Sequence, residues 1–537
     1  MTYEKQAQQR RTFAIISHPD AGKTTLTEKL LLYGGALHLA GSVAAKKQQR
    51  QAASDWMAME KQRGISISST VLNFEYQGMH LNLLDTPGHQ DFSEDTYRTL
   101  MAADSVIMLL DNAKGVETQT KKLFQVCKMR NIPVVTFINK LDRPGREPLE
   151  LLDEVESLFG IKTCAFNWPI GMGDEFKGVY DRRSQQLHFF ERTAHGSYKA
   201  PVSMSNLDAL KTDPDLIQRV PERARKQLIE EVEILEMAGE DFDHEAFLRG
   251  HMSPVFFGSA ANNFGLELFL QQFLELSPAP GARLTRDGDI VEPASDGFSG
   301  FIFKIQANMD PQHRDRIAFL RVCSGQFSRD MQVKHVRSGR TIRLSHSHRL
   351  FGQDRQTMDE AFAGDVVGLS GNDLFSIGDT ICENGSFEFE PIPAFAPECF
   401  AQMRNPNPSK YKQFQKGIDQ LRQEGAIQVL YFHEGAQRNP ILAAIGRLQF
   451  EVAVFRMQSE YNVDVSVEQL GEYTHARWLR SKEEGKTLEG SDVEWIVNAR
   501  QAEDADGRMV ALVKGEWALN YLIERNPNVL FLETPYN

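Results

Sequence analysis

Ser17-His18-Pro19-Asp20-Ala21-Gly22-Lys23-Thr24 is the stretch that decides the fold of this chain. It follows the apolar run Phe13-Ala14-Ile15-Ile16 and opens a segment with apolar residues at Leu26, Leu30 and Leu31, the spacing of one helix face. Strand, tight loop and helix together predict a cradle for phosphates. Backbone N–H groups over Ser17–Thr25 and the positive end of the helix converge there on the β- and γ-phosphates of a nucleotide. Lys23 adds a point charge to those phosphates, and the Thr24 hydroxyl is a ligand for Mg2+. Serine at 17 departs from the general pattern, which has glycine there.

Three further segments complete a pocket. Val71–Tyr76 and Met79–Leu84 read as strands joined at Gln77-Gly78, and the second runs into Asp85-Thr86-Pro87-Gly88-His89. Asp85 then holds Mg2+ through water, the Gly88 N–H meets the γ-phosphate, and His89 orients the attacking water. A lone histidine is more often a surface or core residue; its place after Asp-Thr-Pro-Gly gives it the catalytic reading. The strand Ile132–Ile138 leads to Asn139-Lys140-Leu141-Asp142. Asp142 accepts from the guanine ring N–H and amino group, Asn139 fixes the loop and the purine, and the Lys140 stem lies over the ring. Taken alone, that tetrapeptide fits a helix N-cap equally well. Pro254–Phe257 runs into Gly258-Ser259-Ala260, where the amides of Ser259 and Ala260 reach the guanine oxygen. Arg63-Gly64-Ile65-Ser66 is the loop that senses the γ-phosphate, with Ser66 as a Mg2+ ligand. The pocket predicted is therefore one for GTP, GDP and Mg2+, with His89 and Lys23 as the catalytic residues.

At 537 residues the length suggests several domains. Residues 12–280 alternate strand and helix patterns, the mark of a parallel α/β sheet. Residues 143–257 are too long for a connector and predict an inserted subdomain at about 160–250, with exposed helices in Leu207–Gly239. After Ser277-Pro278-Ala279-Pro280 come short β runs from Gly300 to Leu369, a β-barrel pattern whose loop carries His313, Arg314 and Arg316 as a basic tip. From Cys399 the order is strand, helix, two strands, helix, strand, the split βαβ arrangement. The predicted architecture is multidomain: an α/β P-loop GTPase domain over 1–280, a β-barrel over 281–392 and an α+β domain over 393–537. The five cysteines form no CxxC pair, which suggests neither a zinc site nor a disulfide framework. A net charge of −13 argues against broad nucleic-acid binding, so any RNA contact must be local. With no apolar run of about 18 residues, no membrane span is expected.

The region 12–142 resembles the translational GTPases. Ser54–Ser68 (SDWMAMEKQRGISIS), Asp85–Leu100 (DTPGHQDFSEDTYRTL) and Lys140–Glu156 (KLDRPGREPLELLDEVE) are similar to the class II release factors of bacteria. Elongation factor G shares DWM, RGI, DTPGH and NKxD, but usually has threonine after RGI and another sequence after DTPGH. It also often has a branched apolar residue where this chain has Pro19. The likeness runs on through 300–470. It implies a cytoplasmic, monomeric, ribosome-stimulated GTPase that touches class I release factors only indirectly or transiently and meets neither membrane nor DNA. In that family GTP binding on the ribosome drives departure of the class I factor after peptide release, and hydrolysis lets the GTPase leave. The energy coupling lies in the loop Ala40–Ser66, and no arginine stands out as a finger in cis. The alternatives are a translocase, a ribosome-protection protein or a non-hydrolysing guanine-nucleotide sensor. The chain's end at Asn537 and the lack of Gly-Gly-Gln lead us to expect neither translocation nor peptide release by the chain itself.

Overall fold

The computed structural model describes residues 2–35, 67–191, 202–307, 316–351, 354–371, 374–385, 387–392, 395–433, 439–483 and 485–535. Ala40–Ser66, His313 and Arg314 lie outside the described residues.

Phe13 to Ile16 are wholly buried, as a strand covered on both faces requires. They sit in β1 (Arg10–Ser17), near the centre of a sheet whose other members are β2 (Thr70–Tyr76), β3 (Met79–Asp85), β4 (Ser105–Asp111), β5 (Val134–Asn139), β6 (Lys162–Ala165) and β11 (Met252–Phe257). The order is β2-β3-β1-β4-β5-β11-β6, parallel throughout except for β2, which pairs antiparallel with β3. Gln77 and Gly78 turn that hairpin with φ of 50° and 78°. The carboxyl ends of β1, β3, β4, β5 and β11 therefore open on one edge, where ligand crevices form in parallel sheets.

The inserted part begins after β6, which pairs in parallel with β11 and belongs to the main sheet. It is an antiparallel sheet of β7 (Asn167–Ile170), β8 (Gly178–Asp181), β9 (Gln186–Phe190) and β10 (Val202–Asn206). The helix Glu222–Ala238 is not simply exposed. Ala224, Leu228, Val232 and Leu235 bury one face of it, and Glu231 accepts from Trp168 Nε1 at 2.7 Å. Charge along a helix marks only its wet side; the apolar spacing beneath decides the packing.

Residues 299–382 form a curled antiparallel sheet around Phe298, Ile302, Leu320, Val333 and Ile381. It joins the main sheet at Phe351 and Leu72, and by ion pairs of Arg10 with Asp365 (2.6 Å) and Arg321 with Asp104 (2.5 Å). Of the expected basic tip only Arg316 is among the described residues, and it departs from that expectation: it is buried and its guanidinium donates to the Phe375 carbonyl. The last region contains the expected split βαβ unit, with sheet order Ser466–Gln469, Cys399–Arg404, Ile441–Ala444, Gln428–Phe432. Its strand Gln428–Phe432 also pairs with Ala499–Asp504, so the sheet continues to eight strands ending at Val529–Leu532. No helix among the described residues is long and apolar enough to cross a membrane.

Candidate functional site

β1 ends at Ser17 and the chain turns sharply into α1 (Lys23–Tyr33). Asp20 and Gly22 take φ of 68° and 101°. A Cβ on Gly22 would lie 2.4 Å from Asn139 Nδ2, so conformation and space both demand glycine there. Lys23 is buried at the helix start, and its Nζ meets the buried Asp85 Oδ1 at 2.7 Å. Thr24 and Thr25 are partly buried in the same first turn. Ser17 Oγ and His18 Nδ1 are buried with no hydrogen-bond partner among the described residues, while His18 Nε2 stands 3.4 Å from Glu117. Unpaired polar atoms, a helix N-terminus and a buried lysine on one loop suit a phosphate chain. A hydroxyl at Thr24 and a carboxylate at Asp85 are oxygen donors of the kind Mg2+ takes. Ser66, the third expected Mg2+ ligand, lies outside the described residues.

Thr86 Oγ1 donates to the Ile15 carbonyl at 2.6 Å and pins the segment after β3 beside β1. A Cβ on Gly88 would stand 3.7 Å from Pro19 backbone atoms, ordinary contact distance. Among the described residues there is thus room for a side chain at 88. His89 is about one-third exposed. Its Nδ1 accepts from the Asp91 amide at 3.3 Å, with Asp91 Oδ1 3.4 Å away, which leaves Nε2 facing elsewhere.

On the base side, Asn139 is buried and bridges two loops. Its Nδ2 donates to the Ala21 carbonyl and its Oδ1 accepts from the Ala260 amide, each at 2.9 Å. Lys140 (φ 69°) reaches Asp20 O at 2.5 Å and Asp111 Oδ2 at 2.8 Å. Asp142 Oδ1 accepts from Ser259 Oγ at 2.6 Å. The amides of Ser259 and Ala260 also have protein partners: the first donates to Phe264 O at 3.0 Å and the second to Asn139 Oδ1.

Asp111 is a site residue that sequence reasoning missed. Burial alone would raise its pKa, but the Lys140 ammonium and the Ala113 and Lys114 amides outweigh that and hold it below the usual carboxylate range. The signal was present: β4 is a wholly buried strand that delivers a carboxylate at its carboxyl end, as β3 does.

Past His89 the chain forms a short turn and α2 (Ser93–Met101). Phe92 packs with Ile67 and with Val452 of the last region. Asp95 accepts from Ser69 N (2.7 Å) and Oγ (2.6 Å) and lies 3.3 Å from Lys304 of the curled sheet. Burial would raise the Asp95 pKa; Lys304 and Ser69 outweigh it and lower the value. Burial does raise Glu94, whose partner Arg98 also donates to the Gly425 carbonyl at 3.2 Å. This helix therefore touches both other regions directly.

Three family models match the chain in series: the Elongation factor Tu GTP binding domain over residues 8–279, Elongation factor G domain 2 over 297–384, and the Class II release factor RF3, C-terminal domain over 389–523. Peptide chain release factor 3 of Gloeobacter violaceus is 57% identical over 525 residues, covering 98% of this chain and 97% of that protein. The protein of the same name from Cyanothece sp. is 56% identical over 526 residues, covering 98% and 95%. A crystal structure from Thermus thermophilus shares the fold, with a TM-score of 0.66 at 22% identity over 88% of this chain and 71% of that one. The chain belongs to the peptide chain release factor 3 family, a GTPase family of translation termination.

Proposed function

We propose that this chain hydrolyses GTP in the cleft between its phosphate loop and the Asn139–Asp142 loop, with His89 orienting the water. In this reading the β- and γ-phosphates rest on amides over Ser17–Thr25 and on Lys23, with the Gly88 amide at the γ-phosphate. The purine lies between the Lys140 stem and the Asn139 bridge, and Asp142 reads guanine by accepting from its ring N–H and amino group. Thr24, Ser66 and Asp85 are the residues we assign to Mg2+, which supplies charge neutralisation on the phosphate oxygens when bound. As the γ-phosphoryl group transfers, negative charge grows on its oxygens; Lys23 and the fixed amides stabilise that charge without having to reorganise. Ser259 and Ala260 line the guanine-oxygen side, the Ala260 amide being shared with Asn139.

What supports this reading is the double tether of the base loop to the phosphate loop, through Asn139 to Ala21 and Lys140 to Asp20. It holds a base site and a phosphate site at fixed separation, which a structural N-cap has no reason to do. The working partner is the ribosome, where the GTPase promotes departure of class I release factors after peptide release. The chain works there as a cytoplasmic monomer, divided near residues 280 and 392. Help in trans is worth roughly 10³–10⁵ in rate for other GTPases. Single-turnover hydrolysis with and without ribosomes tests the proposal: His89→Ala should keep GTP binding and lose the stimulated rate. Unchanged stimulation in that variant would remove His89 from the chemistry.

A further inference from the structure

Asp91 is mostly buried at the junction between the catalytic turn and the last region of the chain. Its Oδ2 accepts from the amide of Leu448 at 2.8 Å, the first residue of α3 (Leu448–Ser459). An anion at that position also meets the positive end of the helix. The carboxylate sits so close to Gly446 that a Cβ there would lie 2.0 Å from Asp91 Cγ and 2.3 and 2.4 Å from its oxygens. Gly446 is absent from the positive-φ positions, so its backbone suits any residue, and the demand for glycine there is for space. The last region is thus shaped around this one carboxylate. Meanwhile the other end of Asp91 addresses His89: the backbone amide donates to Nδ1 at 3.3 Å and Oδ1 lies 3.4 Å from the same nitrogen. Phe92, one residue on, is clamped against Val452 of the same helix.

We infer that Asp91 is a positioning residue that makes the orientation of His89 depend on docking of α3. The inference rests on the reading of His89 given above. Docking fixes the carboxylate, the carboxylate fixes the turn, and the turn holds Nδ1 so that Nε2 is the nitrogen free to face water. Loss of docking at α3 releases the turn and lets the ring rotate.

The test is ribosome-stimulated single-turnover hydrolysis by the full-length chain. Gly446→Ala keeps every atom of Asp91 but displaces its carboxylate. It should slow the stimulated rate by roughly ten- to a hundredfold, the scale of a misplaced catalytic group, at unchanged GTP affinity and unchanged ribosome concentration for half-maximal rate. Asp91→Ala, which introduces no clash and so guards against a folding artefact, should do the same. Asp91→Asn, whose amide oxygen still accepts from Leu448, should retain most of the rate. Placed on His89→Ala, neither Gly446→Ala nor Asp91→Ala should slow the residual reaction further. Losses that multiply in that background would overturn the inference, as would a wild-type rate in Gly446→Ala or an effect confined to ribosome affinity. Wild-type turnover in His89→Ala alone would instead strike the underlying reading and take this inference with it.

Discussion

Replacing Arg456 by methionine tests the polar junction where the three regions meet. Arg456 is 2% exposed, and its guanidinium holds Glu424 through two hydrogen bonds of 2.7 and 3.0 Å and Glu460 through two of 2.6 and 3.0 Å. Glu424 in turn accepts from Gln306 of the curled sheet at 3.1 Å. Burial pushes Glu424 up even with Arg456 beside it, while Arg456, facing two carboxylates, is held firmly cationic; the bidentate geometry is that of an ionised pair. Removing the arginine strands a buried carboxylate, which costs about 3–5 kcal/mol. The pH dependence has a definite sign. A carboxyl whose folded pKa lies above its unfolded value of 4.5 binds more protons folded than unfolded. Its contribution to stability is therefore full below about 4.5 and declines as pH rises to the folded value. Without Arg456 that folded value rises further, so the deficit of Arg456→Met should be large at pH 7.5 and shrink by pH 5.5. Adding Glu424→Leu should recover part of the loss, because it removes the fully buried carboxylate and leaves only the more exposed Glu460 without its partner. Urea unfolding followed by tryptophan fluorescence is the assay, since Trp478, Trp495 and Trp517 all lie in the last region. A deficit under about 1 kcal/mol, or one that does not change with pH, would refute the assignment of an ionised buried pair.

Asp142→Asn should lower affinity for guanosine nucleotides by roughly 10- to 100-fold, the worth of a charged hydrogen bond, and favour xanthosine nucleotides in competition binding. Asn139→Ala leaves the Ala21 carbonyl and the Ala260 amide unpaired, at about 1–3 kcal/mol each, so melting should come earlier and GDP should bind more weakly. Asp95 has a folded pKa below its unfolded value of 3.8, so its stabilisation is present above that value and fades as pH falls through the folded one. Lys304→Met removes the cation chiefly responsible and should bring acid unfolding, followed by circular dichroism, to higher pH.

The walls of the proposed pocket were legible because each is a short contiguous segment at a strand end: Ser17–Thr24, Asp85–His89 and Asn139–Asp142 each carry strand, turn and the proposed chemistry in one window. Strand and helix type in the split βαβ unit followed from local periodicity in the same way. What the sequence concealed is the pairing of residues far apart along the chain. Lys304 meets Asp95 across 209 positions and Arg98 meets the Glu424 carbonyl across 326, and nothing local to any of them announces the other. Asp111 was hidden differently, since its role depends on Lys140 leaving its own loop with a positive φ. Arg316 misled because a charged residue after a turn looks wet until a carbonyl such as that of Phe375 is found beneath it.

The eight-stranded sheet of the last region has a mechanical corollary. Because Leu430 to Phe432 pair with Ala502 to Asp504, its two halves share a ladder and cannot hinge apart without breaking it. At about 4.8 Å between strands, the plate is roughly 30 Å across. Helix α3 grips the nucleotide-binding region near one side, while the opposite edge is Val529–Leu532. Were the plate to tilt by about 10° at that grip, its edge at Val529–Leu532, five spacings of about 4.8 Å from Ile441–Ala444, would move by roughly 4 Å.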